Sequence, residues 1–358
     1  MEIIVITDLY PISQDEKNTP RTIYEFVQGW KNMGHYVRVI KPNFLLNSFL
    51  RKKPFYKTGI YDDVENLNFW TPFWGDVRGK CKNLQNYLQN QADDTNFPLV
   101  IAHMPSGLIF ANKLEIPFVA GVHVSDIEVL TNPLYSIYFK SEMEKAYKKA
   151  HKIACRSEVL RKKFLKLFPQ YEEKTFVAFS GIKPEYIVKR EWNPRGKIKI
   201  ITCANLIKRK NTDKLILACN ELENVELTVI GEGEELKKLQ RISGKNIRFL
   251  GRLPNEKVLE QMRQGDIFVL PSENETFGMV YLEAMASGCI TVGLENEGIA
   301  GIIKNGENGF LCRLDNIKQT LETIISSGNQ NEILTNSYNT IQNYTQEKAC
   351  LNYLENIT

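Results

Sequence analysis

The stretch PSENETFGMVYLEAMASG, residues 271–288, decides how the rest of this chain is read. It follows Ile267-Phe268-Val269-Leu270, an apolar run whose branched and aromatic content and abrupt end at Pro271-Ser272 predict a buried parallel strand. A polar loop then carries Glu275, and from about Phe277 good helix formers take over, with Met279, Leu282 and Met285 spaced to line one face. The pattern is strand, polar loop, helix. In doubly wound α/β folds ligands sit beyond the carboxyl ends of the strands, where the N–H groups of a helix start favour anions. Glu275 and Glu283 bracket that start with seven residues between them.

Glu275-x7-Glu283, with Thr276-Phe277-Gly278 inside it, Leu270-Pro271-Ser272 before it and Ala284-Met285-Ala286-Ser287-Gly288 after it, resembles a known donor-site signature. It is that of the retaining glycosyltransferases of family 4 (group 1), which have the GT-B fold. The resemblance implies that Glu275 holds the donor sugar's hydroxyls and Glu283 the nucleotide ribose. The backbone N–H groups from Phe277 through Gly278 and Met279 to Val280 would hold the phosphates, with Thr276 beside them. The geometry permits this. Eight residues span roughly 12 Å if all helical, and a nucleotide sugar carries its two rings on either side of a diphosphate. Paired hydrolase carboxylates fit less well, being roughly 5 to 9.5 Å apart across one bond.

At 358 residues the chain predicts about two domains, since single cores stop growing near about 250 to 300 residues. Its 43% hydrophobic and 25% charged content are those of a soluble globular protein. A net charge of +4 is too small to imply nucleic acid, but leaves room for local basic patches that meet phosphates or an anionic membrane. The seven cysteines are odd in number, scattered and never paired as C-x-x-C, which points to a reducing compartment. MEIIVITDLYP lacks the basic start of a signal peptide, and no run approaches the ~18 to 20 apolar residues of a membrane span. A cytoplasmic protein is expected.

In chain order, 2–7 reads as a strand, 22–33 as a helix stopped by Gly34, and 36–40 as a second strand. The loop between the first strand and the helix resembles a family loop that is commonly glycine-rich; here it reads DEKNTPRT, a surface loop or a substrate contact through Lys17 or Arg21. Residues 44–80 mix aromatic and basic side chains without clear periodicity, as core and loop or as the cover of an acceptor groove. Two parallel strands are predicted to end at His103 and His123. The second continues Val124-Ser125-Asp126 and resembles the family's His-Gly-Ser-Asp motif with valine for glycine, which implies that His123 lies by the donor sugar. From 137 to 168 the chain reads as helical and basic, with ten cations against Glu142, Glu144 and Glu158. Leu160, Phe164 and Leu167 form a stripe there, fitting a helix on an anionic membrane or one packed by that stripe into its domain.

KREWNPRGK, residues 189–197, marks a domain boundary, after which a strand at 198–203 restarts the pattern. It runs into ANLIKRKNTD. Relatives carry Gly-Arg-Leu and then a lysine, two cations that grip the donor diphosphate; by this resemblance the lysine is Lys210, the arginine position is Asn205, and Arg209 is a helper. Gly231-Glu232-Gly233 lacks the third glycine of a dinucleotide fingerprint, Leu236 standing there, and reads as a tight strand-to-helix turn. At 247–253 another strand is predicted, where relatives hold the base by backbone groups. Residues 331–357 are helical, and the family's terminal helices cross back to the first domain.

The expected fold is α/β, GT-B: two Rossmann-like doubly wound domains facing across a cleft. Residues 1–190, joined by a helix at about 341–358, would bind acceptor, and 195–340 donor. The resemblance implies retaining transfer of a sugar, from UDP-hexose or UDP-N-acetylhexosamine, to a glycan or polyprenyl-linked glycan in bacterial surface-polysaccharide (capsule or exopolysaccharide) synthesis. The leaving diphosphate itself would help deprotonate the acceptor, with no metal or other cofactor. A peripheral site at the inner membrane face, through residues 140–168, goes with that reading. The alternatives are a sugar-nucleotide epimerase of the same fold and a catalytically silent nucleotide-binding scaffold.

Overall fold

The computed structural model describes residues 1–11, 21–44, 58–71, 98–113 and 116–357. Lys17, most of the aromatic and basic residues between 44 and 80, and the polar stretch at 83–96 lie outside the described residues. The chain divides into two units, Met1–Phe179 with Ala349–Thr358, and Ser180–Lys348. The division thus falls after Phe179, ahead of the charged KREWNPRGK segment.

In the first unit, β1 (Glu2–Ile6), β2 (Tyr36–Phe44), β3 (Thr58–Tyr61), β4 (Val64–Thr71), β5 (Leu99–His103), β6 (Phe118–Val122), β7 (Lys152–Cys155) and β8 (Thr175–Val177) form one sheet. Its order is β3-β4-β2-β1-β5-β6-β7-β8. Central strands such as β1 read as continuous apolar runs because both faces are covered, and Ile3 to Ile6 are fully buried. β3 and β4 make the antiparallel pair, turning at Asp62 and Asp63 with φ of 47° and 56°. Such a mirror-image turn matches strand twist, but two aspartates without glycine give it a weak signature, and this hairpin was not legible in the aperiodic region.

One expectation needs correcting. Residues 137–168 are not one helical stretch: a helix at Pro133–Lys149 is followed by β7 and then a helix at Glu158–Leu167. Lys174 stops the first helix, its Nζ donating to the carbonyls of Tyr147, Lys148 and Ala150 at 2.6, 3.1 and 2.9 Å, where the helix dipole favours a cation. β7 then pairs with β6 and β8, a tertiary gain that outweighs the helical bias of its neighbours. In the second helix Leu160 and Phe164 are buried, with the Phe164 ring centroid 5.0 Å from that of Tyr147. Leu160 and Phe164 are therefore core and not available to a bilayer, whereas Leu167, the third residue of that stripe, is 40% exposed. No helix among the described residues is long and apolar enough to cross a membrane.

The second unit holds β9 (Ile198–Cys203), β10 (Val225–Ile230), β11 (Ile247–Phe249), β12 (Ile267–Val269), β13 (Ile290–Leu294) and β14 (Phe310–Cys312). All pair in parallel, in the order β11-β10-β9-β12-β13-β14. Strand order reverses between β9 and β12, and the loops leaving their carboxyl ends therefore diverge and open a crevice. Two glycines fit the loop after β10 against the one after β9: a Cβ at Gly231 would lie 1.9 Å from the Ala204 carbonyl oxygen, and one at Gly233 2.3 Å from that of Leu206. Gly231 and Gly233 are there for this close approach.

The helix after β12 starts at Met279, later than Phe277, because Gly278 caps it with φ 82° and Phe277 is buried against the fold. The final helix, Gln346–Glu355, brings Tyr353 into the first unit, where its ring meets those of Phe26, Trp30 and Phe176 at 5.3, 5.2 and 5.5 Å. The two passages of the chain between the units run side by side, with the Ile182 N–H donating to Tyr344 and the Gln346 N–H to Ile182. Tyr353→Ala should cost the first unit about 3 to 5 kcal/mol, the usual loss for a large buried ring, read by denaturant unfolding.

Candidate functional site: a crevice in the second unit

β9 ends at Cys203 and the chain turns through Asn205 into a short 3-10 turn, Lys208–Lys210. Asn211, in left-handed backbone with φ 49°, then starts the next helix. This turn buries Lys210 and aims its Nζ at the loop after β12, where it donates to Glu275 Oε2 at 2.6 Å. Ser272 Oγ donates to the same oxygen at 2.9 Å, and Arg209 Nη1 stands 4.0 Å from it. Asn211 Nδ2 ties the two loops together, donating to the Pro271 carbonyl at 3.1 Å and to Glu273 Oε2 at 2.9 Å. Four residues after Met279, one helical turn on, Glu283 shares the Met279–Ala286 helix and accepts from Asn255 Nδ2 at 2.9 Å.

These groups surround a cavity of about 470 Å³. Of the residues predicted for the donor site, Asn205, Arg209, Lys210, Glu275, Gly278, Met279, Val280 and Glu283 line it. Thr276 and Phe277 do not, so of the predicted helix-start residues Gly278, Met279 and Val280 reach the cavity. Asn205 stands where the resemblance expects an arginine, and Arg209 lines the same crevice, its guanidinium also donating to the Glu273 carbonyl at 3.1 Å. Glu232, Arg252 and Asn255 line it too. Sequence reasoning missed them as side chains, because Glu232 follows β10 while Arg252 and Asn255 follow β11, and only the strand order brings them to the residues after β9 and β12.

His123 belongs to the first unit. It directly follows β6, its N–H donates to Asp126 Oδ2 at 2.7 Å, and its Nε2 lies 3.1 Å from Nδ1 of His103 at the end of β5. Gly121 makes room for that pair, since a Cβ there would lie 2.0 Å from His103 Nδ1. Burial, and then the charge of Arg156, hold the His123 imidazole down to about 3, and burial likewise holds His103 well below its ordinary value. Both rings are neutral at physiological pH, one donating a proton to the other. Met104, directly after His103, adopts φ 68°, a left-handed conformation that costs a non-glycine residue about 1 kcal/mol or more.

Each half of the chain matches a family model: "Glycosyltransferase Family 4" over residues 19–186 and "Glycosyl transferases group 1" over 185–348. The chain has the GT-B glycosyltransferase fold. The Anabaena protein HepE, solved with UDP, superposes with a TM-score of 0.75 at 16% identity, over 99% of both chains, and its UDP-glucose complex with 0.70. An uncharacterized glycosyltransferase of Methanocaldococcus jannaschii is 28% identical over 63% of this chain and 63% of its own length. A GDP-mannose-dependent alpha-mannosyltransferase of Corynebacterium glutamicum is 28% identical over 48% of this chain and 43% of its own. The chain thus spans less than two thirds of the length of these curated relatives.

Asp126 allows a pH test. Burial first, and then the nearby Asp8 carboxylate, raise its carboxyl from 3.8 to about 8, against the lowering effect of the His123 N–H. The folded state holds a proton that the unfolded chain has released, so this contribution to stability is complete below about pH 4 and is lost as pH rises through about 8. Asp126→Asn should remove that slope: relative to wild type it gains stability in denaturant unfolding between about pH 5 and about pH 9.

Proposed function

We propose that the protein transfers a sugar from a nucleoside diphosphate donor to a hydroxyl of a glycan or lipid-linked glycan, with retention at the anomeric carbon and without a metal. The observation that carries this reading is the convergence of Lys210, Glu275, the helix start at Met279 and Glu283 on one cavity where strand order reverses. A cation and unpaired helix N–H groups suit a diphosphate, and carboxylates on either side suit the hydroxyls of a sugar and a ribose. In the reaction the bond from the anomeric carbon to the diphosphate oxygen breaks and its electron pair leaves with the diphosphate. Lys210 and the N–H groups stabilise that charge as it develops. The acceptor oxygen bonds to the same carbon from the same face, and its proton passes to the departing diphosphate.

Support for the donor class comes from the resemblance of the Glu275-x7-Glu283 signature and from neighbours described with UDP, UDP-glucose or GDP-mannose. A lipid-linked surface-polysaccharide acceptor fits the outer face of the Pro133–Lys149 helix. There Leu134 and Ile137 are each 75% exposed, and Lys145 and Lys148 continue the same face on exposed positions. Apolar side chains flanked by cations suit an anionic lipid surface at the cytoplasmic side of a membrane. The basic residues of the Glu158–Leu167 helix would add attraction there without insertion.

A panel of UDP- and GDP-sugars should contain one that protects against thermal unfolding, by about 2.7 kcal/mol at 100 times its dissociation constant. With that donor and an acceptor, Lys210→Ala should lower kcat by roughly 100-fold or more, as loss of a charge-stabilising donor does. Turnover of the donor in the absence of acceptor to an isomeric nucleotide sugar would favour an epimerase, and protection without any turnover a silent scaffold. Sedimentation with anionic vesicles should fall on Leu134→Asp/Ile137→Asp and on Lys162→Glu/Lys163→Glu; equal binding by all three proteins removes the membrane part.

A further inference from the structure

Glu297 was not among the residues predicted for the donor site, yet it holds the backbone of the residue on which that site turns. It follows β13, whose Val292 pairs with Val269 at the end of β12, so it rises at the same carboxyl edge of the sheet. Its Oε2 accepts the Glu275 N–H at 2.9 Å. The loop it meets has no strand or helix of its own and passes through two left-handed residues, Asn274 at φ 54° and Gly278 at φ 82°. Between them the segment 275–277 rests directly on the turn that carries Glu297: a Cβ at Gly298 would lie 2.7 Å from the Phe277 nitrogen and 2.8 Å from the Glu275 carbonyl oxygen. Lys210 and Ser272 orient the Glu275 carboxylate. Glu297 fixes the backbone from which that side chain springs.

We infer that Glu297 is a positioning residue for Glu275, holding the loop so that the Glu275 carboxylate meets the donor sugar. The inference rests on the donor-site reading above. Two consequences separate it from a merely structural role. The bond runs to a backbone N–H and needs an acceptor oxygen rather than a charge, so Gln can replace Glu297 and Ala cannot. The nucleotide end of the cavity is set from Asn255 and Glu283 on other elements, so nucleotide binding should be independent of Glu297.

The experiment compares wild type, Glu297→Ala and Glu297→Gln in the full-length protein by three readouts. Hydrogen exchange of peptides spanning 272–278 reads the loop, thermal protection by UDP or GDP reads the nucleotide end, and steady-state kinetics with the productive nucleotide sugar reads the sugar end. Glu297→Ala should speed loop exchange by about tenfold or more and lower kcat/KM by roughly 10- to 100-fold, mainly through kcat, while nucleotide protection stays within about twofold. Glu297→Gln should restore both exchange and turnover. The inference is overturned if Glu297→Ala leaves loop exchange and turnover at wild-type values, if nucleotide protection falls in step with turnover, or if Glu297→Gln behaves as Ala does. If the wild type turns over no nucleotide sugar, the donor-site reading fails instead, and the exchange arm alone decides whether Glu297 fixes the loop.

Discussion

Two parallel strands that leave the centre of a sheet toward opposite sides cannot cover the space between their ends, and the second unit is built around that constraint. At the carboxyl ends of β9 and β12 the gap is crossed by the close Lys210 to Glu275 ion pair, with Arg209 4.0 Å from the same carboxylate and Asn211 tying the flanking loops. As a stabilising element the pair is worth little, because two partly buried charges give up hydration for their attraction. Its value is chemical. In the function we propose, a lysine kept dry and aimed into a cavity beside a helix start serves as a preformed partner for a diphosphate, and the carboxylate that holds it as a partner for hydroxyls.

The first unit solves a related problem with neutral groups. His103 ends β5 and His123 directly follows the adjacent parallel β6, and the two share a proton in place of carrying charge, since burial disfavours the imidazolium of both. Asp126 caps the helix that follows by accepting the His123 N–H. The result is a polar cluster inside an apolar shell, in which His103 Nδ1 and His123 Nε2 set each other's donor and acceptor roles. Gly121 shows how tightly it is assembled, for no side chain fits beside the His103 ring.

Much of this was legible in the sequence where one physical signal dominated. The strand at 198–203 was read at its observed limits because, apart from the exposed Lys199, it is an apolar and largely buried run. The Glu275-x7-Glu283 string placed the crevice, and Lys210 fell in it as aligned. What escaped was decided by tertiary pairing. β7 looks helical beside its basic neighbours and is a strand because β6 and β8 flank it. The helix start moved from Phe277 to Met279 because Phe277 packs inward and Gly278 takes the left-handed cap. Glu297, Asn255 and the His103 to His123 contact join residues far apart in sequence, and nothing in local composition marks such pairs.

The central claim is that Lys210 is a diphosphate ligand which Glu275 occupies until the donor arrives. Isothermal titration of the matching nucleoside diphosphate, without its sugar, into wild type and Glu275→Gln tests it most directly. Removing the competing carboxylate frees Lys210, so the variant should bind the diphosphate more tightly than wild type, by about threefold or more. Binding that is unchanged or weaker in Glu275→Gln would contradict the account.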